Sequence, residues 1–184
     1  MQHEFVFAGF GGQGVMFAGQ LLAHAALDEG LEVTWFPSYG PEMRGGTAHC
    51  FVVVSDEPIG SPVVRQPKNA IIFNSPSFDK YEPLVAPDGL LLVNASLVAK
   101  QSERTDITRL NVPASDLADK IGDLKLANMV LMGALLTARP VIALEAIRAA
   151  LNTYVPAHHR DKLPLNLKAL DQGAIYASRL LQRT

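Results

Sequence analysis

Cysteine is nearly absent from this 184-residue chain, with Cys50 as its sole representative. One thiol cannot close an internal disulfide. Nor can it supply the four thiolates of an ordinary iron–sulfur cluster or the several close ligands of a structural zinc site. A reducing compartment, the cytoplasm, is therefore expected. An excess of positive charge is also missing: 16 basic residues face 18 acidic ones, a formal net charge of -2. Binding to nucleic acid draws on surplus cations that displace counterions from phosphate, so no such partner is expected. The most apolar stretch, Ala127 to Ala138, falls short of the roughly 18 residues that suggest a membrane span. The opening Met1-Gln2-His3-Glu4 lacks the basic start and long apolar core of a secretory signal. A soluble protein with no membrane partner is the expectation. No repeat, low-complexity tract or linker divides the chain, so residues 1–184 read as a single domain.

What is present reads as α/β. Phe5 to Ala8 is a short strand-like run that ends at Gly9. Val15 to Glu29 places Leu21, Leu22, Ala25 and Ala26 on a helical period, with Gly30 as a C-cap. Leu31 to Phe36 alternates and meets Pro37, which predicts a second strand. Thr47 to Ser55 is extended, with no helix before it. A parallel crossover needs a dozen or more residues, so the short link predicts an antiparallel neighbour and a mixed sheet. Further strands are expected at Ala70 to Phe73, Leu90 to Val93 and, as an edge, Ile107 to Val112. A helix is expected from a Ser75 cap to Tyr81. From Ser115 the pattern is helical, over 115–124, 127–138, 143–151 and 165–181. In the last of these, Leu167, Leu170, Ala174, Ala177 and Leu181 form one stripe, for the core or for a partner subunit.

The chemistry concentrates in two loops. Gly9-Phe10-Gly11-Gly12-Gln13-Gly14 lies between a strand and a helix, where glycines permit close approach and helix amides face phosphate. A nicotinamide site would also need an acid at the end of the second strand to bond the ribose. That strand ends Thr34-Trp35-Phe36-Pro37-Ser38, and Glu32 lies near its beginning, so the test goes against NAD. Three readings of the loop stay open: a packing turn, an anion site such as one for coenzyme A phosphates, or a surface shown to a neighbouring subunit. In the second loop Glu42 and Arg44 flank Met43 ahead of Gly45-Gly46. They can form a local ion pair, or the guanidinium can join backbone amides in receiving an anion.

Pro37-Ser38-Tyr39-Gly40-Pro41-Glu42-Met43-Arg44-Gly45-Gly46-Thr47-Ala48, following GFGGQG, resembles the gamma subunits of 2-oxoacid:ferredoxin oxidoreductases. Pro58 to Pro62, Asn128 to Ala134 and His159 to Asn166 extend the likeness over nearly the whole chain. The resemblance implies a Rossmann-like domain with a mixed, mostly parallel sheet and a helical C-terminal part. It implies a complex that oxidatively decarboxylates a 2-oxoacid, transfers the acyl group to coenzyme A and passes electrons to ferredoxin. The tail leans towards 2-oxoglutarate, with branched-chain 2-oxoacids also open. Thiamine diphosphate and iron–sulfur clusters would belong to alpha, beta and, where present, delta subunits, and this chain would hold no cofactor alone. A homodimer is expected of the isolated chain, whose partner surface would be bare.

The resemblance implies a cofactor-binding edge at Gly9, Gly11, Gly12, Gln13 and Gly14 together with Glu42, Arg44, Gly45 and Gly46. No catalytic residue and no metal ligand is assigned. His49 and Cys50 are neighbours on a strand and point to opposite faces. Cys50 reads as packing, His158-His159 as surface loop, and Asn128 as a capping or core hydrogen-bonding residue. Two other functions remain to be separated: a self-sufficient nucleotide-dependent oxidoreductase and a scaffold module without a part in chemistry.

Overall fold

β1 (Gln2–Phe10) is the strand on which the sheet is built, and Phe5, Val6, Phe7 and Ala8 are buried on both its faces. Both faces are apolar because both are covered, as in the interior of α/β sheets. The computed structural model describes residues 1–39 and 47–182. After β1 come α1 (Val15–Asp28), β2 (Glu32–Tyr39), β3 (Thr47–Ser55), β4 (Asn69–Ile72) and α2 (Ser75–Tyr81). β5 (Leu90–Asn94), β6 (Thr108–Val112), α3 (Ala114–Ile121), α4 (Ala127–Ala138), α5 (Leu144–Tyr154) and α6 (Leu163–Leu181) complete the order.

The strands lie in the order β2-β3-β1-β4-β5-β6. β3 runs antiparallel to both β1 and β2, whereas β1, β4, β5 and β6 are parallel neighbours. The expected mixed sheet is therefore present, and β6 is an edge as expected. Phe5, Phe7, Cys50, Val52, Ile71 and Leu92 share a core with α1, α3, α4, α5 and α6 on one face. The other face carries Val6, Ala8, Ile72 and Leu91 under Phe78 and Tyr81 of α2.

Several boundaries differ from the sequence reading, each for a physical reason. β2 continues through Pro37, which stands opposite Cys50, to Tyr39. An edge strand tolerates proline because half its N–H groups need no ladder partner. α2 is capped by Asn74, not Ser75: the Asn74 Oδ1 accepts from Ser77 N–H at 3.0 Å, while Ser75 Oγ donates to the Leu97 carbonyl. Proline thus occupies the second helical position rather than the first. α3 ends at Ile121, short of Leu124, and α5 runs on to Tyr154. On α6 the buried positions are Ala169, Leu170, Gly173 and Ala177, while Leu181 is exposed.

Gly173 explains that shift. A Cβ there would strike the Val130 carbonyl of α4, and a Cβ at Gly133 of α4 would strike the Leu170 carbonyl of α6. The two helices touch backbone to backbone through reciprocal glycines. α4 lies between α6 and the sheet, and every residue from Ala127 to Leu136 is buried.

Gly173→Ala is expected to destabilise the protein by about 1–3 kcal/mol in urea unfolding, the usual cost of overpacking. Gly60→Ala, at a position where a Cβ meets nothing within 4 Å, should change stability by no more than about 0.5 kcal/mol. Cys50 is 0% exposed and burial pushes its thiol up to about 12. A thiol reagent at pH 8 should leave the native protein unmodified and react quickly once denaturant is added.

Candidate functional site

The glycine loop lies beyond the C-terminal end of β1, beside the end of β4. From β1 the chain leads through α1 towards β2 on one side of the sheet, while β4 and β5 lie on the other. Ligands of open α/β sheets gather at such a reversal of strand order. Gly9 marks the convergence: a Cβ there would lie 2.6 Å from Gln13 Oε1, 2.7 Å from Phe73 Cβ and 2.9 Å from Val15 Cγ2. Gly12 and Gly14 have φ of 94° and 75°, in the left-handed region that costs other residues energy. Gly11 and Gly12 are exposed at the tip.

Gln13 braces the loop, and its orientation follows from donors that admit no alternative. The Ser77 N–H can only donate, so the Asn74 carboxamide turns its oxygen to α2 and its Nδ2 to Gln13 Oε1, at 3.2 Å. The Phe10 N–H can only donate as well, and it reaches the same Oε1 at 2.7 Å. The Gln13 Nε2 is left with two donors that have no acceptor among the described residues. At α1 no side chain caps the first turn and no acid lies in it. The first helical acceptor bond is made by Ala18 N–H to the Gly14 carbonyl at 3.0 Å. The amides ahead of it therefore add a positive helix end to the free Gln13 donors.

One cavity borders the loop and a second lies beside Asn128, whose Nδ2 reaches the Gly14 carbonyl. The first, of about 250 Å³, is lined by Gly12, Gln13, Phe73, Asn94, Leu124 and Lys125 among others. The other, of about 350 Å³, lies towards α6 and is bordered by Phe17, Lys125, Asn128, His159 and Lys162 among others. Lys125 lines both. Lys162 donates to Asp123 Oδ2 at 2.8 Å, and this bond holds the Asp123 carboxyl below its ordinary range and raises the Lys162 ammonium. A larger open groove of about 820 Å³, beside Glu4 and Arg65, lies elsewhere and touches none of these residues.

β3 also bears on the nicotinamide reading. Where β2 adjoins β1, an acid at its end can reach a ribose held over the glycine loop. Here β3 lies between them, and strands lie about 4.8 Å apart, so the end of β2 is about 10 Å from β1. The residues do not fit a dinucleotide held in that way.

A family model described as pyruvate ferredoxin/flavodoxin oxidoreductase matches residues 4–176. The chain belongs to this family. Within the pyruvate ferredoxin/flavodoxin oxidoreductase family it is 38% identical to ketoisovalerate oxidoreductase subunit VorA of Methanothermobacter marburgensis, over 95% of this chain and 36% of that one. It thus spans about a third of that relative's length. The 2-oxoglutarate synthase subunit KorC of Methanocaldococcus jannaschii is 35% identical over 98% of this chain and 96% of its own. The solved gamma subunit of a keto/oxoacid ferredoxin oxidoreductase from Geobacter sulfurreducens is 30% identical. It superposes with a TM-score of 0.83 over 96% of this chain and 99% of its own.

In this family member Gly9, Gly11, Gly12, Gln13 and Gly14 come together in one turn, whereas Glu42, Arg44, Gly45 and Gly46 lie outside the described residues. His49 is half-buried against Phe51 and Tyr81, on the face opposite Cys50, and burial lowers its pKa. His158 and His159 are exposed. Among the described residues no group of three or more His, Cys, Asp or Glu could hold a metal. Asn128 caps no helix. Its Nδ2 reaches the Gly14 carbonyl at 3.4 Å and its Oδ1 accepts from Met129 N–H. Asn74 and Lys125 were not expected at the loop. Asn74 was legible as the residue ahead of Ser75-Pro76, a cap competing with Ser75, but nothing local marks Lys125.

Gln13→Ala removes the acceptor for Phe10 N–H and should cost about 1–3 kcal/mol of stability. Hydrogen exchange at Phe10 should quicken more than at Phe5. Equal protection in both proteins would disprove the bracing role.

Proposed function

We propose that this chain is the gamma-type subunit of a multisubunit 2-oxoacid:ferredoxin oxidoreductase, a single domain over residues 1–184, working in the cytoplasm. The whole complex oxidatively decarboxylates a 2-oxoacid, transfers the acyl group to coenzyme A, releases carbon dioxide and passes two electrons to ferredoxin. Thiamine diphosphate, held by partner subunits, supplies the decarboxylation chemistry, and clusters on partners carry the electrons. This chain binds alpha and beta subunits, with a delta subunit where one exists, and pairs with itself when isolated.

Its own contribution is a phosphate-receiving edge for coenzyme A. The observation that carries this reading is the glycine turn, exposed at Gly11 and Gly12, where the α1 amides have no side-chain cap and the Gln13 Nε2 has no acceptor among the described residues. We assign Gly9, Gly11, Gly12, Gln13 and Gly14 to this edge, and Glu42, Arg44, Gly45 and Gly46 with them on the strength of the sequence motif. A fixed array of donors orients an anionic ligand without taking part in bond making. The single buried thiol supports leaving electron transfer to partners. The near-complete length match to a 2-oxoglutarate synthase subunit favours 2-oxoglutarate as substrate. The 38% identity to a ketoisovalerate subunit favours branched-chain 2-oxoacids as the second reading.

Gentle affinity purification should recover proteins with a thiamine diphosphate site and cysteine clusters. In the assembled complex, Arg44→Ala should raise the KM for coenzyme A about tenfold and leave the KM for the 2-oxoacid unchanged. Reduction of an acceptor by the isolated chain with a 2-oxoacid would overturn the subunit assignment.

A further inference from the structure

β2 is an edge of the sheet, and the direction of its unpaired backbone groups follows from the ladder. The Ala8 carbonyl accepts from Phe73 N–H at 2.9 Å, so Ala8 turns its groups towards β4. Neighbouring residues of a strand turn theirs to opposite sides, so Phe7 faces β3 and bonds its register partner Cys50. His49 and Phe51 then face β2 and bond Ser38 and Phe36. Val33, Trp35 and Pro37 must therefore direct their backbone groups away from the sheet. The Val33 and Trp35 N–H groups have no partner among the described residues.

Edges are usually blunted by charge, by short length, by a cover or by proline. β2 runs for eight residues, and from Val33 to Ser38 it carries no charge. Pro37 is its one such device, and at an outward position it removes a single donor. Val33 and Trp35 pack towards the α1 core. Phe36 lies on the other face beside Phe51 and is 58% exposed.

A second copy is the partner this edge fits, because two identical edges meet antiparallel about a two-fold axis and close the assembly. With Phe36 opposite its own mate, Trp35 falls opposite Pro37, Val33 opposite Tyr39 and Thr34 opposite Ser38. In that register each outward N–H of Val33, Trp35 and Tyr39 meets a carbonyl, and the missing Pro37 donor costs one bond on each side. The two Phe36 rings become a non-hydrogen-bonded pair, the kind in which cross-strand side chains come closest. Centring the pair on Trp35 would set Phe36 against Thr34 and lose the ring contact.

We propose that the isolated chain forms a two-fold dimer by pairing β2 with β2 of a second copy, centred on Phe36, so that two six-stranded sheets become one. The inference rests on the self-pairing proposed above and deepens it by naming the surface.

Sedimentation of the full chain at rising concentration should show a monomer–dimer equilibrium. Trp35 is the only tryptophan, so its emission should shift over the same range. Phe36→Lys sets like charges at the axis and should raise the dimer dissociation constant at least about tenfold, leaving the unfolding temperature of the monomer unchanged. Phe36→Cys should give an oxidised dimer, since non-hydrogen-bonded partners lie about 4.5 Å apart between Cα atoms, within disulfide reach. Thr34→Cys should not, because its counterpart lies four residues along, about 13 Å away. Cys50 is fully buried and does not compete.

A monomer at every concentration, a dimer indifferent to Phe36→Lys, or cross-linking through Thr34→Cys alone would overturn the proposal. So would a monomeric chain whose Phe36→Lys variant no longer recovers partner subunits, which would give β2 to a strand of a partner. If the complex assembles and turns over while the isolated chain stays monomeric, this inference falls alone. If the dimer forms as described and no partner subunits are recovered, the subunit assignment falls and the interface stands.

Discussion

No side chain fits at Gly9, and the arrangement around the candidate site depends on that. The last turn of β1, the brace from Gln13, the end of β4 at Phe73 and the first turn of α1 at Val15 all meet where a Cβ would lie 2.6–2.9 Å from each neighbour. Because the backbone there is bare, Gln13 can fold back to accept from Phe10 and Asn74 at once. Its oxygen is consumed by the protein and its nitrogen has no acceptor among the described residues. One steric exclusion thus sets the loop conformation, ties it to α2 and fixes the polarity of the surface it offers.

The second organising feature is β3. Inserted between β1 and β2 and antiparallel to both, it displaces β2 from the position an acid would need to serve a dinucleotide on the glycine loop. The glycine turn keeps the phosphate-facing chemistry of a helix N-terminus without the neighbour that would specify a nicotinamide cofactor. The helical layer is unequal as a result of the C-terminal run of helices: among the described residues α2 is the one α-helix packed on one face, while the reciprocal contact of Gly133 and Gly173 draws α6 onto α4 on the other. That contact brings the residues before α6, Lys162 among them, towards Lys125 and Asn128.

Local chemistry settled much of this in the sequence. The alternation of strands and helices, the mixed sheet, the edge position of β6 and the span of α4 follow from periodicity, turn residues and the shortness of the link before Thr47. The strand–glycine–helix opening needs no long-range information, and neither does the lack of an acid from Thr34 to Ser38. The adjacency of His49 and Cys50 on one strand excludes their cooperation, because a strand sends successive side chains to opposite faces.

Distance in sequence decided the rest. Gln13 and Asn74 are 61 residues apart, and Gly14 and Asn128 are 114 apart, so no local pattern relates them. Pro37 reads as a strand end until the tertiary order makes β2 an edge, and Ser75 reads as a cap until Asn74 reaches Ser77. The buried line of α6 passes through Gly173, which an apolar stripe overlooks because its contribution is the absence of a side chain. Sequence determines which backbone shapes and charges are available. Only the packing of α4 and α6 against the sheet determines which of them face one another across a cavity.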